Sequence, residues 1–217
     1  FIPGRRYAGK LKLKNNGGIQ DTVLVSTSST QYSFTTCNNT GRYAPTSGQC
    51  NSVYLGTTLD GNVTVSGSYQ LWTVPKTGLY EIEALGASGG KATSYSSYDT
   101  NGKAARIKAS IALTQGDVLK IMVGQKGQDA SYFGGGGGGT FVALSDDTPL
   151  VVAGGGAGQD YYHDYSNANA SITESGNSST PYGLWVGGSD GSGGTTFVYG
   201  GSGGGGGLIN DGQFGMR

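Results

Sequence analysis

Two cysteines, one histidine and a pair of alternating glutamates are the residues of this 217-residue chain whose types and spacing suggest chemistry. Cys37 and Cys50 enclose a short polar loop. As zinc ligands they would need further donors, and the single histidine, His163, lies far away along the chain. A disulfide is the better reading. Closing a loop of this size stabilises by about 3 kcal/mol in the chain-entropy picture, and it implies an oxidising compartment. His163 stands in YYHDY between Asp160 and Asp164. A Ser-His-Asp set is arithmetically available in any serine-rich chain, but no nucleophile elbow such as G-x-S-x-G is expected to accompany this one. Glu81 and Glu83 in YEIEAL are spaced like paired carboxylates. On the wet face of a strand beside Lys108 or Arg106 they read as cross-strand charge pairs, not as an acid and a base. The expectation is a protein that is not an enzyme and holds no metal and no cofactor.

The stretch PLVVAGGGAGQD, residues 149–160, tests one further chemistry. A dinucleotide-binding turn needs a strand, a glycine-rich turn and then a helix whose N-terminus faces the phosphate. The strand is present. The following residues, Asp160 to Ser166, lack amphipathic spacing, so no helix is expected there and nucleotide binding is set aside.

Composition narrows the remaining classes. Basic and acidic residues balance at 14 each, and charged residues make up 13% of the chain. That leaves no electrostatic footprint for nucleic acid or an anionic membrane. No apolar run approaches the length of a membrane span. The chain opens on Phe1 without an apolar signal core, which reads as a mature or excised extracellular segment, secreted or at the cell surface. Four N-x-S/T sequons, at Asn38, Asn62, Asn169 and Asn177, are candidate glycosylation sites that agree with this reading.

The elements that must position these residues are strands. Alternating or β-branched runs occur at 10–15, 21–36, 62–74, 78–87, 104–113, 117–124, 140–144, 149–153 and 195–200, separated by turn residues such as PKTG and TQGD. Helical periodicity is almost absent. The pattern predicts an all-β, antiparallel β-sandwich. In YEIEAL, Tyr80, Ile82 and Ala84 are expected on the buried face. Glycine is the outlier, at 43 residues. Its tracts, 134–139, 154–158, 187–194 and 200–207, alternate with good strands, so they are not a floppy linker. Packed side by side, several polyglycine-II helices with three residues per turn could bond backbone to backbone, with no side chains in the way.

CNNTGRYAPTSGQC, LWTVPKTGLYEIEALGASGGKA, LKIMVGQKGQDA, GGGGGGTFV, PLVVAGGGAG and YGGSGGGGGLINDG together resemble the glycine-rich extracellular domain of the anaplastic lymphoma kinase and leukocyte tyrosine kinase receptors, over about residues 34 to 212. The resemblance implies a tumour-necrosis-factor-like sandwich of jelly-roll type, an inserted bundle of polyglycine-II helices, and a Cys37–Cys50 disulfide. Fold transfers more safely than function.

Two functions are kept. The first is an extracellular structural or adhesive protein, a filament subunit whose partner is itself or an extracellular protein or glycan. The cluster Tyr161, Tyr162 and Tyr165 would be a contact surface or would pack over the glycine segments. Residues 1–33 form a strand-rich arm beside the glycine-rich domain of 34–217, and Leu11, Leu13, Val23 and Val25 give it apolar faces. Those residues are either extra edge strands of the same sandwich or a strand donated to a neighbour. The second function is a ligand-binding ectodomain fragment of a receptor.

Overall fold

The computed structural model describes residues 30–94, 101–159, 168–177, 187–189 and 192–195, together with the backbone of two strands, β1 (Ala8–Lys12) and β2 (Val23–Thr27). Eight more strands follow: β3 (Thr30–Phe34), β4 (Val63–Ser66), β5 (Tyr69–Thr73), β6 (Gly78–Leu85), β7 (Arg106–Leu113), β8 (Val118–Met122), β9 (Thr140–Leu144) and β10 (Pro149–Ala153). Among the described residues, one helix, α1 (Ser47–Tyr54), interrupts them. The turns obey local chemistry. Gly67 begins the two-residue turn between β4 and β5 at φ 58°, a left-handed conformation that costs glycine little. In TQGD, Gly116 sits at φ 95°, and Asp117 closes the turn by accepting from the Thr114 amide at 2.7 Å.

The strands form two five-stranded sheets, ordered β2-β3-β1-β6-β7 and β10-β9-β8-β5-β4. The expected antiparallel pairing holds throughout the second sheet. It fails in the first, where β1 runs parallel to both β3 and β6. The run 21–36 is two strands, not one, folded as the β2–β3 hairpin. Residue 34 ends β3, so the boundary drawn at 33/34 falls within a strand.

Both sheets contribute to one hydrophobic core. Tyr80, Ile82 and Ala84 of β6 are completely buried, as the alternation in YEIEAL predicts. They share that core with Phe34 of β3 and with Trp72, Leu119, Ile121 and Val142 of the second sheet. Trp72 is the hub. Its ring lies 4.8 Å from Tyr32, 5.9 Å from Phe34 and 6.3 Å from Tyr80, the last two edge to face. Such tilted contacts add to what burial of the rings already contributes. The other face of β6 is less wet than expected. Glu83 is buried, and it is paired there with Arg106 of β7, while Glu81 pairs with Lys108 at 2.9 Å.

At one end of the sandwich the strands run on into glycine segments. β6 continues into 86–92, β8 into 123–130 and β10 into 154–159, while 101–105 leads into β7 and 134–139 into β9. None of these segments is helical, and none is a strand. They are tied to each other by backbone hydrogen bonds that recur every third residue. The Ala87 amide donates to Gly138 O, that of Gly137 to Gly156 O, and that of Gly156 to Ala87 O, closing a ring of three segments. Three residues along, Gly90 donates to Gly135 O, Gly134 to Gln159 O, and Gln159 to Gly90 O, closing a second ring. The same three-residue step links 86 and 89 to 105 and 102, and 127 and 130 to 88 and 91. A β-ladder would repeat at two residues and an α-helix would bond within itself.

Lack of space explains the glycines here. Among the described residues, none of the tract glycines has the left-handed φ of Gly67 or Gly116. A Cβ on Gly137 would lie 2.0 Å from Ala87 O, and one on Gly158 would lie 1.9 Å from Gly134 O. Gly154 differs, since its Cβ would meet nothing closer than Ala170 Cβ at 3.8 Å. Gly137→Ala should therefore destabilise by about 3 kcal/mol or more through overpacking. Gly154→Ala should leave stability unchanged or raise it by up to about 1 kcal/mol. Paired urea melts test this, and equal midpoints would refute segment packing as the reason for the glycines.

Candidate recognition surface

The disulfide, the helix and the glycine segments meet around one loop. Cys37 follows β3 and Cys50 lies in α1, and they are bonded as expected, with Cα atoms 4.7 Å apart. The helix was not anticipated, although its start signal was legible. Thr46 accepts from the Gln49 amide while the Gln49 side chain accepts from the Thr46 amide at 2.7 Å, a capping box spelled T-x-x-Q. One turn beyond Cys50, Tyr54 inserts between the sheets. Its hydroxyl bonds to Gln70 Oε1 at 2.6 Å and accepts from the Thr35 amide at 2.9 Å, and Gln70 Nε2 donates to Thr35 O at 2.7 Å. Burial pushes the Tyr54 hydroxyl up to about 12, a rise that these hydrogen bonds with Thr35 and Gln70 only partly offset.

The loop that the disulfide closes leans on the glycine segments. Gln125 Nε2 and Asn39 Nδ2 both donate to the Tyr43 carbonyl, at 2.7 and 2.6 Å. With its backbone thus fixed, Tyr43 presents its ring to solvent at 68% exposure, and the Arg42 guanidinium sits 5.2 Å from the ring centroid. An exposed Tyr–Arg pair on an anchored loop has the composition that dominates protein–protein interfaces. Farther along 123–130, Asp129 binds Lys126 Nζ at 2.7 Å and the Lys91 amide at 2.8 Å. Partial burial would raise its carboxyl, but these bonds outweigh it and hold the group below its ordinary value.

The other expected site residues are dispersed. Asn38, Asn62, Asn169 and Asn177 are all exposed. Asn169 Oδ1 accepts from the Lys103 amide at 2.8 Å and Asn177 Nδ2 donates to Asn169 O, so these two side chains also tie local backbone. Leu11 lies in β1, and Val23 and Val25 lie in β2. Leu13, Tyr161, Tyr162, Tyr165, His163 and the tract 200–207 fall outside the described residues. In the tract PLVVAGGGAGQD, the amides of Gly156, Ala157 and Gln159 donate to Ala87, Ala168 and Gly90 carbonyls, where a phosphate site would leave them open. Contrary to expectation, residues 86–90, GASGG, match G-x-S-x-G. They lead from β6 into an extended segment, whereas the nucleophile elbow turns into a helix. Among the described residues, no three His, Cys, Asp or Glu side chains cluster as a metal site, and no helix is long and apolar enough to cross a membrane.

Over 100 residues, 45% of this chain, the sequence is 39% identical to the leukocyte tyrosine kinase receptor of Mus musculus. The match spans 11% of that receptor's length. No family model matches the chain. The similarity and the disulfide both fit an extracellular location.

Two outcomes are expected of this region. Reducing Cys37–Cys50 should lower stability by about 3 kcal/mol, read by denaturant melts with and without reductant. Tyr54 makes stability depend on alkaline pH. Its ordinary value near 10 applies to the unfolded chain, so its contribution is fully present below about pH 10 and is lost as pH rises through about 12. The loss is on the order of 3 kcal/mol at most. Tyr54→Phe, less stable at neutral pH because Gln70 loses its partner, should show a flatter decline across that window. An identical decline in both proteins would remove Tyr54 as the cause.

Proposed function

We propose that this chain is an extracellular, non-catalytic recognition module, a receptor-ectodomain-like fragment that binds a protein ligand. The similarity to part of the leukocyte tyrosine kinase receptor carries this reading. In it, the two sheets correspond to the tumour-necrosis-factor-like jelly roll, and the glycine segments are polyglycine-II helices. The three-residue bonding step supports the latter, since that helix has three residues per turn. The bundle serves as a rigid platform, and side chains on its flank and on the disulfide loop make contact with the ligand. Arg42→Ala/Tyr43→Ala should melt within about 0.5 kcal/mol of the parent yet lose at least tenfold in affinity for a ligand found on an array of secreted and cell-surface proteins. Finding no saturable binder on such an array would count against the module. Retained affinity in the double variant would move the contact elsewhere.

A structural role, in which copies self-associate into filaments, is the second reading. The observation favouring it is the parallel seating of β1 in an otherwise antiparallel sheet.

A further inference from the structure

The seating of β1 is unusual in three respects. It bonds β6 over five register positions, from Ala8 opposite Leu79 to Lys12 opposite Glu83, but it meets β3 only at Leu11 opposite Tyr32. Both of its partners are distant in sequence, so no hairpin ties it to the sheet. Its covalent tie to β2 is the segment 13–22. β2, already paired with β3, also packs close to β6. β1 alone occupies the edge of β6 that β7 leaves, while β2 ends the sheet beside β3; an edge carries a single ladder.

That edge has a recognisable code. Glu81 and Glu83 stand on one face of β6, with Ile82 completely buried between them on the other. β1 places Lys10 and Lys12 in register with the two glutamates and Leu11 in register with Ile82. From the opposite side, Lys108 and Arg106 of β7 pair with the same glutamates. Each carboxylate therefore has a basic register position on β1 and a diagonal basic partner on β7, and opposite charges across strands stabilise the pairing. A strand reading Lys-apolar-Lys matches the edge in charge and in polarity.

We propose that the edge of β6 that β1 occupies is a strand-accepting site, and that in the assembled protein it holds β1 from a second copy of this chain. The inference rests on the self-association reading and names its contact. Exchange in trans reproduces every contact made in cis, so it costs no new complementarity and depends only on the 13–22 connection and on concentration. Because donor and acceptor are different surfaces, the contact is head to tail and propagates unless the rotation closes a ring.

Cysteine pairs at register positions test it. Lys10→Cys and Glu81→Cys are placed in separately tagged copies, mixed at high concentration, and oxidised. The expected product is a disulfide joining the two tags, mapped by mass spectrometry to positions 10 and 81, at least tenfold above a Lys10→Cys and Lys120→Cys control. The pair Ala8→Cys and Leu79→Cys repeats the test should the first variants fold poorly. A single chain carrying both Lys10→Cys and Glu81→Cys, once oxidised, should lock its own β1 and stop assembly. Sedimentation of the unmodified protein separates the failures. If copies associate but neither pair cross-links between tags, the strand proposal falls and self-association stands. If the protein stays monomeric at every concentration, both fall.

Discussion

Backbone amides of one glycine segment bond to the carbonyls of the next, at every third residue, and the end of the molecule depends on that repeat. Glycine forms no side-chain core and loses the most entropy on ordering, so one such segment alone would not hold a shape. The remedy is mutual satisfaction. Each segment supplies donors and acceptors to two or more others, and the rings at 87–138–156 and 90–135–159 show how closely the requirement is met. Close approach is the condition, and a Cβ on Gly137 or Gly158 would lie 2.0 or 1.9 Å from a carbonyl oxygen, far inside contact distance.

The sandwich sets up that approach. Strands β6 to β10 enter or leave the segments already aligned, so their spacing is inherited from the sheets. Thr140, fully buried at the start of β9, marks the junction: its hydroxyl donates to Leu85 O at 2.6 Å and accepts from the Gly124 amide at 3.0 Å. One side chain thereby satisfies backbone groups of two segments where ladder bonding gives way to the three-residue repeat. The chain Thr35–Tyr54–Gln70 does comparable work across the core, joining the residue after β3 to α1 and β5 through polar groups that all have partners.

Much of this architecture can be read from residue order, and the exceptions have physical causes. TFVAL and PLVVA are strands because a β-branched, apolar run bounded by glycine, proline and aspartate admits little else. The buried face of YEIEAL follows from its alternation. Alternation did not reveal that Glu83 is buried too, because that depends on Arg106 covering it from β7. The α1 helix has a weak apolar pattern and is held by a disulfide and a cap, so periodicity was the wrong signal and T-x-x-Q the right one. The parallel direction of β1 follows from a long-range pairing, which no local pattern encodes. The exposed Tyr43–Arg42 pair escaped notice because its importance lies in what fixes the Tyr43 carbonyl, two side chains from different parts of the chain.

The glycine segments also bear on how the molecule responds to temperature. What they bury is mostly peptide group, and hydrating peptide surface on unfolding lowers heat capacity where hydrating apolar surface raises it. A large share of this chain therefore subtracts from the usual heat-capacity increment, and the stability curve is flatter than that of a side-chain-packed domain of equal length. A flat curve trades a modest maximum for breadth, holding the fold across a wide span of temperatures.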